Sequence, residues 1–169
     1  MKYTSSEANK LLRKLNSDLD TLFHIENQSK TFLAATGEDP ESVRPEFNYE
    51  QTQEEIKELQ RKIRTVKHAI NMFNTNTIVP GFDMTIDEML VYLPQMHYRV
   101  LTLDEMRNMI PKVRERTYGS GSNATIDYRY INFDRDKVKE DYEKAIEEQN
   151  RAQLVLDSIN NSETFEIDI

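Results

Sequence analysis

The sequence predicts a mainly α protein: a long antiparallel helical hairpin in a four-helix bundle, with a small antiparallel β-sheet at one end. Three observations predict it. Apolar residues recur at spacings of three and four along four long stretches, as a helix with one buried face requires. Charged residues make up 31% of the 169 positions, and only 4 glycines and 5 prolines interrupt them, which suits long solvated helices. Short apolar/polar alternations follow the helical stretches, the period-two pattern of strands. A chain of this length supports one sizeable core, so residues 1–169 are expected to form a single domain.

The helical hairpin is expected over residues 6–74. Ser5 and Ser6 can cap its first arm, which runs to about Ala35 with Leu12, Leu15, Leu19, Leu22 and Phe23 as the inward stripe. Gly37, Pro40 and Pro45 then mark a loop from Thr36 to Asn48. The second arm, about Tyr49 to Phe73, places Ile56, Leu59, Ile63, Val66, Ile70 and Phe73 in the a/d repeat of a coiled-coil seam. Thr77 to Val79 reads as a strand closed by a Pro80-Gly81 turn.

A third helix is expected over 85–110, started by Thr85 with Glu88 three residues on, and kinked by Pro94. Its apolar residues cover more than one face, which assigns it to the centre of a bundle or to a subunit interface. A strand and a fourth helix follow over 124–160, the helix capped by Asp134 and turning Val138, Tyr142, Ala145, Ile146, Ala152, Val155 and Ile159 inward. Residues 164–169 alternate again and read as a C-terminal strand.

Several chemistries are excluded at this point. The chain has no cysteine, which removes disulfides, thiolate metal sites and a cysteine nucleophile. His24, His68 and His97 stand three residues after Thr21, Thr65 and Pro94, so the Glu-x-x-His pairs of a carboxylate di-metal bundle are missing. There is no Walker loop, His-Glu-x-x-His, EF-hand loop or Gly-x-Ser-x-Gly elbow. No catalytic residue, metal site or cofactor is expected. A net charge of −8 argues against a nucleic-acid partner. The apolar runs are too short to span a bilayer, and polar residues follow Met1, so the expectation is a cytoplasmic protein with little call for a membrane.

Three local features invite functional readings. Tyr118-Gly119-Ser120-Gly121-Ser122, after Lys112, Arg114 and Arg116, has phosphate-loop composition, but it follows a helix and precedes a strand, the wrong order for a cradle at a helix N-terminus. A solvated loop is the expectation. Asn71 to Thr77 concentrates three asparagines and two threonines at a helix end; these suit helix termination, and equally a polar ligand pocket. Six of the seven methionines lie between Met72 and Met109; they suit a soft groove for a partner helix or lipid, but ordinary core or a protomer contact is the expectation.

Taken in order, Ile70 to Thr77, Gly81 to Leu90, Ser122 to Tyr128 and Ile159 to Ile167 resemble the septicolysin-like DIP family of bacterial proteins over nearly the whole chain. The resemblance implies that Ile70, Asn71, Asn74 and Thr77 occupy that family's Ile-Asn, Asn and Thr positions at the end of the helical hairpin. The family's Arg-Asp pair early in the third helix is replaced by Leu93-Pro94, with Arg99 kept nearby. The expected binding residues are Asn71, Asn74, Thr77 and Arg99 from these positions, with Arg107 and Arg129 on the end surfaces that could receive a ligand or partner. The expected function is a non-enzymatic oligomeric interaction or scaffold protein, a homo-oligomer with room for a further protein partner, assembled through Met89, Leu93, Met96 and Val100. The alternative is a membrane-active or toxin-like protein, and third comes a small-ligand or enzymatic pocket near the asparagines.

Overall fold

The computed structural model describes residues 1–115 and 127–169. The glycine-rich string at 118–122 and the start of the strand expected from Ala124 lie outside the described residues. Those described are mainly helical, with small antiparallel ribbons: β1 (Lys2–Thr4), α1 (Ser5–Ser29), α2 (Pro40–Val43), α3 (Tyr49–Asn76), β2 (Ile78–Val79), β3 (Met84–Thr85), α4 (Ile86–Asn108), β4 (Lys112–Arg114), β5 (Tyr128–Tyr130), α5 (Arg135–Ser162) and β6 (Thr164–Glu166).

The chain divides into two compact units. The first comprises Met1–Ile78, Thr85–Asp87 and Asp157–Ile169. Thr4, and not a serine, opens α1: its hydroxyl accepts from the Glu7 amide at 3.2 Å, and the Glu7 carboxylate accepts from the Thr4 amide at 2.9 Å, a reciprocal capping box. Asn48 caps α3 by accepting from the Gln51 amide. The two arms pack as the expected hairpin, with Ala8, Leu15, Val66 and Ile70 buried together and Leu11, Leu12, Leu59 and Ile63 against them. α1 stops at Ser29, short of Ala35. Gln53 donates to the Glu26 carboxylate at 2.6 Å, so the start of α3 lies opposite the last turn of α1, and a longer α1 would have no helix to pack on. Leu33 is correspondingly left 95% exposed.

Among the described residues the expected single sheet is three separate two-stranded ribbons, β1–β6, β2–β3 and β4–β5. Each run is two or three residues long and finds a partner of its own, which satisfies its backbone groups without a larger sheet. β6 pairs antiparallel with β1, Tyr3 opposite Phe165. Phe165 stacks on Phe73 with ring centroids 4.6 Å apart, and Ile167 is buried against the hairpin core. β2 and β3 flank a turn with Gly81 at φ 79° and Asp83 at φ 51°, where the left-handed backbone favours glycine and tolerates aspartate.

The second unit comprises Val79–Met84 and Glu88–Leu156. Val100, Leu103, Val138 and Ala145 form its core, with Met96, Met106, Phe133, Tyr142 and Ile146 packed around them. α4 and α5 run antiparallel here. The Tyr92 hydroxyl donates to the Glu148 carboxylate at 2.7 Å near one end, and the Arg107 guanidinium lies over the Tyr142 ring at the other. Pro94 sits inside α4, which continues through it. Asp134 caps α5, accepting from the amides of Asp136 and Lys137. Lys112 to Arg114, expected as loop, is strand β4; it pairs with β5 so that Val113 faces Arg129. β5 is exposed along its length, and Lys112 caps the ribbon by lying over the Tyr128 and Tyr130 rings.

Candidate functional site

The asparagine string occupies the last turns of α3, and its side chains hydrogen bond back along the helix. Thr75 donates its hydroxyl to the Asn71 carbonyl at 2.9 Å, Asn76 its amide to the Met72 carbonyl at 2.7 Å, and the Thr77 backbone N–H reaches Phe73 at 3.0 Å. Of these acceptors only the Phe73 carbonyl is among the last four that a helix end leaves open; the Asn71 and Met72 carbonyls lie within the helix ladder and receive the side chains as second donors. Asn71 is exposed and Thr77 half-buried. Asn74 differs: its Oδ1 is shut off from solvent and accepts no hydrogen bond among the described residues.

The three arginines belong to the second unit and have separate surroundings. Arg99 is exposed on α4. Arg129 forms an ion pair with Glu115 beside the β4–β5 ribbon. Arg107 is held from two directions. Asp104 Oδ1 accepts from its Nε at 2.8 Å, and the guanidinium carbon stands 3.8 Å from the Tyr142 ring centre. The Arg107 carbonyl in turn accepts from Arg135 Nη2 at 3.1 Å. Arg107, Asn108, Arg135, Asp136 and Lys139 line a cavity of about 490 Å³.

α4 also presents two apolar faces. Met89 and Val100, expected at a subunit interface, are 0% and 8% exposed inside the chain, because they belong to the face that packs inward. The face left outside carries Leu90, Val91, Tyr98 and Leu101, each between 48% and 73% exposed. At 100° per residue these four fall within about a quarter turn or a little more of the helix surface. From Met89 to Leu103 the only lysine, arginine, aspartate or glutamate is Arg99.

A groove of about 620 Å³ between α1 and α3 is lined by Asp18, Glu54, Glu55 and Glu58, with Lys62, Thr21, Leu22 and Leu59. Hydrogen bonds from Arg61 hold Glu58 down to about 2, so this carboxylate is already engaged. Among the described residues no three histidines or carboxylates gather to hold a metal ion, and no helix is long and apolar enough to cross a membrane.

The chain matches no protein-family model and no curated protein. It is similar in structure to a crystal structure described as a functionally unknown conserved protein from Corynebacterium diphtheriae, with a TM-score of 0.60 and 13% identity over 98% of this chain and 100% of that one. The likeness is one of fold. It extends over essentially both chains and leaves the chemistry to be argued from this molecule's own surfaces.

Sequence reasoning singled out Arg107 but missed Asn108, Arg135 and Lys139, which share its cavity. Arg135 and Lys139 are one helical turn apart, and that spacing was the available signal. It also chose the inward residues of α4 for an interface; the second stripe was visible only as an excess of apolar positions.

Proposed function

We propose that the protein is a non-enzymatic scaffold that assembles by pairing the outer face of α4 with the same face of a second copy. The exposed stripe of Leu90, Val91, Tyr98 and Leu101 carries this reading. In a chain with 31% charged residues, a fifteen-residue stretch with one charge is a surface to which water is a poor partner. Leu90 and Leu101 lie three turns apart along the helix, so a two-fold antiparallel crossing sets each against the other's counterpart and closes the contact as a dimer. A large residue such as Tyr98 beside the axis supplies apolar area with few rotamers to freeze. The four-helix bundle and coiled-coil seam expected from sequence belong to this proposal.

Sedimentation over a micromolar concentration range tests it. The expected result is a concentration-dependent dimer that Leu101→Glu weakens by at least about tenfold, with helix content unchanged and with the same melting midpoint at dilutions where both chains are monomeric, because the site is already exposed there. A wild-type chain that stays monomeric throughout overturns the reading. The septicolysin-like resemblance supplies the competitor, in which the same stripe meets lipid. Dye leakage from liposomes, abolished by Leu101→Glu, would favour that instead, although a net charge of −8 and the lack of a basic face beside the stripe count against it.

A further inference from the structure

The cavity at the Arg107 end of the second unit is independent of the apolar stripe. Its lining sets three cations against one carboxylate in a chain where acids outnumber bases 30 to 22. Arg135 and Lys139 stand at the i,i+4 spacing, where like charges weaken a helix. Among the described residues no carboxylate forms an ion pair with either of them, although Asp136 and Glu143 stand at i,i+3 and i,i+4 to Lys139. Asp134 spends its Oδ1 on the first amides of α5, Asp104 is matched to Arg107, and Glu140 and Asp141 pair with Lys137. Lys139 makes no ion pair or hydrogen bond among the described residues.

The cations are also held ready. Arg107 is clamped by Asp104 and Tyr142, and Arg135 is anchored by its bond to the Arg107 carbonyl; each guanidinium keeps further N–H groups that these contacts do not use. Two guanidinium groups, each held by at least one contact, and an ammonium without an ion pair among the described residues match an oxyanion with several acceptor oxygens. Acceptors are present as well. Asn108 donates its Nδ2 to the Asp104 carbonyl at 2.7 Å, which leaves Oδ1 to accept, and the Asp136 carboxylate lies in the same lining. Acceptors beside an anion site call for hydroxyl donors on the ligand. A cavity of about 490 Å³ is larger than a bare phosphate needs and lies within the range of small-molecule sites.

We propose that this cavity binds a phosphate monoester carried on a hydroxylated small molecule, the phosphate on Arg107, Arg135 and Lys139 and the hydroxyls toward Asn108 and Asp136. A free sugar phosphate and the headgroup of a phosphorylated inositol lipid share that chemistry, and separate arms distinguish them.

The test uses the full chain, its 15N-labelled amide spectrum and its melting midpoint, with glucose 6-phosphate, inorganic phosphate and glucose as probes. Glucose 6-phosphate should shift the amides of Arg107, Asn108, Arg135 and Lys139 and raise the midpoint; inorganic phosphate should do so more weakly, and glucose not at all. Arg135→Gln with Lys139→Gln should weaken the ester by at least about tenfold. Without ligand that variant should keep the dispersed amide spectrum of a folded chain, the lost like-charge repulsion offsetting the lost bond from Arg135 to the Arg107 carbonyl, which separates lost binding from lost folding. In the second arm, vesicles of phosphatidylcholine with and without phosphatidylinositol 4-phosphate are sedimented with the protein. Binding only to the phosphorylated vesicles, lost in the same variant, assigns the ester to a lipid. Unaltered affinity in the variant, or no response to any phosphate probe in either arm, overturns the proposal.

Discussion

Tyr92 is the side chain whose ionisation reads out the α4–α5 contact. Burial, then its hydrogen bond to the Glu148 carboxylate, pushes its pKa from 10.0 up to about 12. An unfolded chain releases this proton near pH 10, whereas the folded chain holds it to about 12, so the contribution is complete below pH 10 and declines as pH rises from 10 to 12. Urea midpoints measured across that window should fall, and Tyr92→Phe should flatten the fall by removing the titrating group. Asn74 offers the opposite case, a shielded oxygen with no donor among the described residues. Substituting such a group by an apolar one of similar size is neutral or stabilising, while placing a charge there is not. Asn74→Leu should therefore keep or raise the melting midpoint, and Asn74→Asp should lower stability by about 1–3 kcal/mol at neutral pH. A loss on Asn74→Leu would show that the amide has a bound partner in solution.

At the scale of elements, β6 is held by more than its ladder with β1. Ile167, one residue past it, is 1% exposed against Ala8, Leu15, Val66 and Ile70. Ile167→Ala should cost about 2–5 kcal/mol in denaturant unfolding, and amide exchange should show Lys2–Thr4 losing protection with it. A near-neutral effect would mean that the C-terminal segment is only laid on the hairpin. The same comparison explains which elements the sequence made legible. The seam from Ile56 to Phe73 repeats over many turns, and Asp134 caps α5 where expected; both are local patterns. The end of α1 is not local: Ser29 is its last residue because α3 begins at Tyr49, across the hairpin. β1 and β4 escaped notice because three residues hold too short an alternation to stand out, and both show their identity only through the strand opposite.

For the whole molecule, the asparagine cluster was legible as a polar helix end, and the bond from the Thr77 N–H to the Phe73 carbonyl closes that end. The Arg107 cavity was not legible, since Arg107 and Arg135 are 28 residues apart and meet only when α4 and α5 pair. Net charge then separates the two proposed surfaces by the sign of their salt dependence. Two copies each carrying −8 repel, and that repulsion is screened over about 10 Å at 0.1 M salt, while an apolar contact is not screened. Dimerisation through Leu90 and Leu101 should strengthen between about 20 and 300 mM sodium chloride. A phosphate ester drawn to Arg107, Arg135 and Lys139 should weaken over the same range, because salt screens this attraction. Paired sedimentation and titration series in one buffer check both. Self-association that weakens with salt would move the interface from the apolar stripe to charged contacts, and ester binding indifferent to salt would remove the cationic lining as its cause.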